Sequence, residues 1–404
     1  MKKFLPLALL STLPLAHASD YQLEQVVSLT RHGVRPQTDI AELNEVTGKQ
    51  WATWQVPDGH LTQHGYDGMV SQAQYQLATW QKAGLNIHGC PSQNDVLIWA
   101  SPAQRTKKTA DAIAEGMFKN CQIKVGSTQY EKDPLFNAVK MGTVANSFEQ
   151  IHADYQKRIG SPEQVARKYQ SNVNFLKNTV CAPDSCTFLN KPWELKTNKE
   201  GQPKLKGPVE NGANIGETIR LQYSENLPLD QVAFGHVKNA RDVKKFMTLH
   251  QAKYHYVNEI PVLAQQGGSI LMDQMLNALQ SPRPLTLFVG HDTNISQIQT
   301  MLGFNWQLPQ YPANDIPPGG TLAFEKYKNT KTGKEYVKVS FSARTLDQWR
   351  NLTPLNSKQP LASAQLKYSY CKKTAVGVLC PLNEFVKNTR QRVLPIQIDQ
   401  PLFQ

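Results

Sequence analysis

Arg31, His32 and Arg35 fall within five positions in "RHGVR", a third arginine, Arg105, stands in "SPAQRTKK", and His291 and Asp292 adjoin in "GHDTN". Guanidinium groups are permanently charged planar forks that grip a tetrahedral oxyanion through paired hydrogen bonds. A histidine set among three of them is disfavoured as imidazolium. It stays neutral and nucleophilic below its free pKa of about 6.5. A phosphate monoester, with close to two negative charges and three acceptor oxygens, is what such a set could hold. Attack by His32 would form a phosphohistidine and split hydrolysis into two easier displacements. The departing alkoxide then needs a proton, and Asp292 is the acid placed to give it. A free aspartic acid, with a pKa near 3.9, is mostly ionised at neutral pH. This division of labour therefore predicts activity in acid.

The three clusters can cooperate only if the fold gathers them. Each follows a short apolar, β-rich run: "LEQVVSLT" (23–30), "DVLIWA" (95–100) and "LTLFVG" (285–290). A helical pattern follows the second and third. Near-continuous apolar runs fit strands buried on both faces of a parallel sheet. In open α/β sheets, ligands bind outside the carboxyl ends of the strands. All three clusters are thus expected along one sheet edge. After the second run, Ser101 is the expected N-cap, with Pro102 at N1 and Gln104 at N3 completing a capping box. Arg105 then falls in the first helical turn, where backbone N–H groups add to its hold on an anion.

From about 145 to 280 the pattern turns helical, as in "ETIRLQYSENL" and "DVKKFMTLHQAKYHYVNEIPVLAQQ". The organisation read from this is an α/β domain over 19–144 and 281–404, interrupted by a smaller, mostly helical domain over 145–280. The α/β domain is expected to have a central, mainly parallel sheet flanked by helices. "NKPWELKTNKEGQPKLKGP" (190–208), polar and rich in Lys, Gly and Pro, reads as a mobile loop. "GGTLAFEKYKNTKTGKEYVKVSFSA" reads as a hairpin turning at "KNTKTGK".

Lys2 and Lys3, the apolar stretch Phe4 to Leu15 and the Ala16-His17-Ala18 end have the layout of a signal peptide over residues 1–18. The expectation is a periplasmic or secreted protein with no membrane span, since no later apolar run reaches about eighteen residues. The formal charge of +12, reduced by two when Lys2 and Lys3 leave, suits anionic partners. No run of five basic residues occurs, which argues against nucleic acid and leaves a small phosphorylated substrate. The six cysteines of an exported chain suggest disulfides. Fifteen pairings are possible; neighbour pairing, Cys90–Cys121, Cys181–Cys186 and Cys371–Cys380, is the simplest. No C-x-x-C spacing marks a zinc site.

Other histidines invite a metal reading and do not sustain it. His60 and His64 have i, i+4 spacing without the glutamate of a zinc protease, and they flank Thr62, a reasonable N-cap. His250 and His255, five apart, have a poor ligand spacing and are read as structural or exposed.

"RHGVR" followed far downstream by "HD", with "QRT" between, resembles the histidine acid phosphatases. "DGHLTQHG" (58–65), "DPLFN" (133–137), "GHDTN" (290–294) and "PPGG" (317–320) are similar to segments of their bacterial periplasmic branch, the phytases and glucose-1-phosphatases. The resemblance covers nearly the whole chain after residue 18. It implies a phosphoglycerate-mutase-like α/β fold with a helical domain beside it and the site in the cleft between them. It implies His32 as the phosphorylated nucleophile, Asp292 as proton donor, and Arg31, Arg35, Arg105 and His291 as phosphate ligands, with no metal or cofactor. Glu217 matches a substrate-side glutamate, and Thr38 is polar and close enough to line the site or to cap a turn.

Two departures from the family pattern stand out. Pro36 follows Arg35 directly, where the family usually has one residue between. Asp39 stands where many phytases of this branch carry a lysine that meets extra phosphates, while "LQYSENLPLDQVAFG" (221–235) is more similar to the glucose-1-phosphatases. The expected activity is an acid phosphomonoesterase acting on a sugar phosphate or on an inositol phosphate such as phytate. The alternatives are a phosphoester-binding protein without turnover, an HD-type metal phosphohydrolase and a phosphomutase. The sequence is silent on oligomeric state.

Overall fold

The structure is a computed structural model that describes residues 20–144, 148–197, 203–398 and 402–403. The expected signal peptide lies outside the described residues. So does the segment 198–202, at the middle of the expected mobile loop.

The chain opens with strand β1 (Tyr21–Arg31), followed by helices α1 (Ile40–Thr47) and α2 (Gln63–Lys82). Strand β2 (Val96–Ala100) leads into α3 (Gln104–Met117), then β3 (Val125–Ser127) and α4 (Pro134–Met141). Helices α5 (Phe148–Ile159) and α6 (Pro162–Val180) precede a small antiparallel ladder of β4 (Glu194–Thr197) and β5 (Pro203–Lys206). The 190–208 segment read as a loop therefore carries this ladder. Next come α7 (Val209–Ser224), α8 (Ala240–Phe246), α9 (Thr248–Lys253), a π-helical turn at Tyr254–Asn258, and α10 (Pro261–Leu279). Strand β6 (Leu285–Gly290) and α11 (Asp292–Leu302) follow. The hairpin β7 (Thr321–Asn329) and β8 (Glu335–Ala343) leads to α12 (Leu346–Arg350). Strands β9 (Ala362–Gln365), β10 (Lys372–Thr374) and β11 (Gly377–Pro381), and helix α13 (Leu382–Arg390), complete the order.

The main sheet runs β10-β11-β8-β7-β1-β6-β2-β3, with β9 beside β8. It is mixed. β1, β6, β2 and β3 are mutually parallel, and every strand from β7 outward pairs antiparallel. The parallel strands are the apolar ones for a physical reason: helices cover both their faces, so β6 is buried at all six positions. The outer strand β8 alternates buried with half-buried residues along most of its length. In β1, Val26, Val27 and Leu29 are fully buried, each worth roughly 1.5–3 kcal/mol against exposure.

Register decides where the site forms. Arg31 pairs with Gly290, and Ala100 with Val289, so β1, β6 and β2 end level with one another. His32, His291 and Ser101 therefore leave the sheet side by side. Gly65, in the first turn of α2, lets that helix abut the loop after β1; a Cβ there would lie 2.4 Å from the Val34 carbonyl oxygen. Helix α10, placed by the sequence reading in the 145–280 insert, packs on the sheet side: the buried Gln25 of β1 donates to the carbonyls of Ala278, Ser281 and Arg283. All three disulfides join neighbouring cysteines, Cys90–Cys121, Cys181–Cys186 and Cys371–Cys380. Among the described residues no helix is long and apolar enough to cross a membrane.

Candidate active site

His32 is 1% exposed and its backbone is fixed from two sides: its N–H donates to Gly290 O at 3.1 Å, and its carbonyl accepts from Gly319 N at 3.1 Å. Its Nδ1 lies 2.9 Å from the Gly33 carbonyl oxygen. A carbonyl only accepts, so Nδ1 carries the proton and Nε2 keeps its lone pair. Burial, and then the charges of Arg35, Arg31 and Arg105, push the imidazolium well below the usual histidine range. The ring is thus neutral, with Nε2 unprotonated.

The arginines are not equivalent. Arg35 and Arg105 line a cavity of about 680 Å³ together with His32, His291 and Asp292. Arg35 donates through Nη1 to the Pro36 carbonyl at 2.7 Å, so the proline that follows it directly also orients it. Arg31 is wholly buried behind the cavity. Its Nη1 donates to Ile316 O at 2.5 Å, and its Nη2 meets Glu217 Oε1 at 2.5 Å and Asp292 Oδ2 at 3.1 Å. The Nε groups of Arg31, Arg35 and Arg105 are buried without a hydrogen-bond partner among the described residues. Arg220 and Arg344 share that feature, so it is convergence on His32, not an unpaired nitrogen alone, that sets Arg31, Arg35 and Arg105 apart.

Ser101 and Gln104 do not cap α3, which starts at Gln104 with Ala103 as its N-cap and no side-chain cap. Tertiary partners take both side chains. Ser101 Oγ lies 3.0 Å from His291 Nε2, and Gln104 Oε1 accepts from Leu61 N at 3.0 Å. Arg105 is still in the first turn of α3, its Nη2 3.4 Å from His291 Nδ1. Guanidinium only donates, so His291 Nδ1 accepts and Nε2–H faces Ser101. Burial and the Arg105 charge lower the His291 pKa to about 3.

Asp292 opens α11, where an anion gains from the helix dipole. Burial alone would raise its carboxyl, but Arg31 holds it below the ordinary carboxylate range, with Glu217 opposing. Thr38 and Asp39 line a second, smaller pocket of about 60 Å³ with Arg35, Glu42 and Glu217. Asp39 has a structural task as well: it is the N-cap of α1, accepting from Glu42 N at 2.8 Å.

The reading of single motifs missed the residues behind this front. Arg220 bonds Glu217 through Nη2 and clamps both oxygens of Asp315 at 2.8 and 2.7 Å. His250 is buried and stands 3.8 Å from Glu217; burial lowers its pKa to about 4. The i, i+3 spacing of Glu217 and Arg220 was a usable signal. Nothing local pointed to Asp315 or to His250 as a neighbour of the site.

The family model for the histidine phosphatase superfamily (branch 2) matches residues 22–342. The chain belongs to the histidine phosphatase superfamily, branch 2. Among its relatives in this superfamily, phytase AppA of Escherichia coli K12 is 29% identical over 407 residues, covering 93% of each chain. A glucose-1-phosphatase of Salmonella typhimurium is 29% identical over 386 residues, covering 91% of this chain and 92% of its own. The structure of Klebsiella sp. ASR1 phytase superposes with a TM-score of 0.88 at 33% identity, covering 93% of this chain and 96% of that one. Hafnia alvei phytase in complex with myo-inositol hexakis sulphate gives a TM-score of 0.85 at 29% identity, covering 94% and 98%. The histidine phosphatase assignment agrees with the α/β fold and with phosphoester hydrolysis as the chain's chemistry.

Proposed function

We propose that this histidine phosphatase is an exported acid phosphomonoesterase in which His32 is the nucleophile and Asp292 the proton donor. The observation that carries the reading is the Nδ1–H to Gly33 carbonyl bond, which leaves His32 Nε2 free beside Arg35, Arg105 and Asp292. Nε2 attacks phosphorus while the ester P–O bond breaks, and the leaving oxygen takes the Asp292 proton. Water then attacks phosphorus, giving a proton to Asp292 as the P–N bond breaks; its electron pair returns to Nε2, phosphate departs, and His32 is neutral again. Arg35 and Arg105 hold the phosphate directly; Arg31 adds its charge and its unpaired Nε from behind, and His291 holds Arg105 in place.

Charge counting supports Asp292 as the group that takes up a proton when substrate binds. Arg31, Arg35, Arg105 and Arg220 face Glu217, Asp292 and Asp315, which leaves one positive charge with the histidines neutral. A phosphate dianion reverses that sign in a buried site, and one proton restores balance. A binding protein without turnover would gain nothing from an acid so placed. A phosphomutase is disfavoured by export away from the cytoplasm, and the three disulfides support an oxidising compartment such as the periplasm.

The two pockets, lobes of the site that share Arg35, support an inositol or sugar phosphate as substrate. Exposed Lys107 and Lys140 line the larger lobe and, with Arg35 and Arg105, outnumber its exposed Glu131, which suits further phosphates, while Asp39, Glu42 and Glu217 outnumber Arg35 in the smaller one, which suits hydroxyls. The helical stretch between 145 and 280 supplies the smaller lobe's Asn211, Asn214 and Glu217. The deciding experiment is phosphate release at about pH 5, with EDTA present, comparing phytate with glucose 1-phosphate. Preference for phytate means that the lysine wall outweighs Asp39; preference for glucose 1-phosphate means that the acidic lobe selects the sugar. Loss of all activity in EDTA would instead favour the metal-dependent alternative.

A further inference from the structure

The hydrogen bonds behind the cavity form a closed circuit. Arg31 Nη2 meets Glu217 Oε1, Glu217 Oε2 meets Arg220, and Arg220 Nη1 clamps Asp315. Asp315 is joined through the chain to Ile316, whose carbonyl accepts from Arg31 Nη1 at 2.5 Å. Trp306 Nε1 donates to the Asp315 carbonyl at 2.9 Å and fixes that loop. Arg31 and Arg220 are both fully buried, so neither can trade these partners for water.

We propose that Arg220 is a positioning residue of the phosphatase reaction: clamped between Asp315 and Glu217, it holds Glu217 against Arg31, so that Arg31 does not close fully on Asp292. The inference rests on Asp292 being the proton donor. Arg31 Nη2 is shared, 2.5 Å from Glu217 and 3.1 Å from Asp292. Whatever part of that charge Glu217 neutralises is no longer available to keep Asp292 ionised. Glu217 can do this only as an anion. Burial works against its anionic form, and Arg220 is the strongest of the charges that maintain it, ahead of Arg31.

The other groups around this pair do not replace Arg220. Glu217 is faced by Arg31 and Arg35 from β1 and the loop after it, by His250 from α9, and by Arg220 from its own helix. Asp292 is faced by Arg31, Glu217, His32 and His250, with Arg35, Arg105, Arg220, His291 and Tyr254 also in its field; the direct charge of Arg220 acts on Asp292 more weakly than that of Glu217. Tyr311 sits within the field of Asp315 and Arg220. His250, whose pKa is about 4, is neutral over most of the working range and cannot hold Glu217 as a cation does. Without Arg220, Glu217 takes up a proton in acid, Arg31 turns wholly to Asp292, and the donor becomes harder to protonate.

The test is the pH dependence of kcat for an alkyl ester, glycerol 2-phosphate, beside an aryl ester, p-nitrophenyl phosphate, whose leaving group needs no proton. In Arg220→Met the basic limb for the alkyl ester should move about one pH unit toward acid, the low end of what a neighbouring charge does, while the aryl limb stays. Glu217→Gln should move the alkyl limb the same way, and the double variant should move it no further, because both act along one path. Arg220→Lys, which keeps the charge but loses the fork, should fall between, and it carries the test if Arg220→Met does not fold. An alkyl limb that stays, moves toward alkali or moves together with the aryl limb, or a double variant that adds the two shifts, overturns the inference. A wild-type enzyme whose two esters share one profile would instead overturn the donor role of Asp292.

Discussion

Arg31 Nη2 lies 3.1 Å from Asp292 Oδ2 and holds as an anion the carboxyl proposed as the proton donor. A donor in that state acts only after substrate has drawn on the guanidinium. Two negative charges of phosphate beside Asp292 both compete for Arg31 and disfavour the carboxylate. With Asp292 as the proposed donor, the pair would couple proton uptake to substrate binding.

Asp292→Asn tests that coupling. Hydrolysis of an alkyl phosphate should fall by about a hundredfold to ten-thousandfold, the usual worth of a general acid, whereas an aryl phosphate should lose far less. Steady-state kcat on both esters measures this. Equal losses would remove Asp292 from the donor role.

Acid tolerance should trace to His32. Because burial and three arginines push its pKa well below the usual value, this proposed nucleophile stays neutral far into acid, and the acid limb of kcat/KM should lie well below pH 6.5. Arg105→Gln removes one of those charges, so the limb should move up in pH. KM should also rise about tenfold or more, as loss of a charged hydrogen bond implies. His32→Ala should remove turnover, on the order of a thousandfold or more.

Stability should fall from mild acid to mild alkali through Glu225. This carboxyl accepts from Thr62 Oγ at 2.6 Å, and burial raises its pKa to about 7 against an ordinary 4.5. A raised folded-state pKa means that the folded protein binds the proton more tightly. The stabilisation is complete below about 4.5 and is lost as pH rises through about 7. Glu225→Gln should therefore add ~1–2 kcal/mol at pH 8 and little at pH 4.5, read from urea midpoints at the two values. A variant profile parallel to the wild type would exclude Glu225 as the source.

The disulfides should differ in worth. Cys90–Cys121 closes a sequence separation of 31 and Cys181–Cys186 one of 5. On loop-closure entropy the first contributes about 3–4 kcal/mol and the second about 2 kcal/mol. Paired Cys→Ala variants in thermal melts give the order, and a larger loss at Cys181–Cys186 would contradict it.

Several elements were legible because their causes are local. Thr62 caps α2 as expected, its hydroxyl accepting from Gly65 N. The runs before residues 31, 101 and 291 are the strands expected, and the "KNTKTGK" turn joins β7 to β8. Elsewhere the competition was tertiary. Ser101 gives up the cap of α3 for His291, and His250, with poor spacing for a metal, is buried beside Glu217.

By itself the sequence determined the phosphatase family, the strand ends that carry the charged clusters and the identity of the nucleophile and donor candidates. Each of these follows from residue type, short-range periodicity or a contiguous motif. Only the tertiary structure decided the protonation states and how Arg31 is shared. Positions 31, 217, 292 and 315 come from four separate segments. Charges that far apart in sequence interact strongly only once packing has brought them together and removed the water that would screen them.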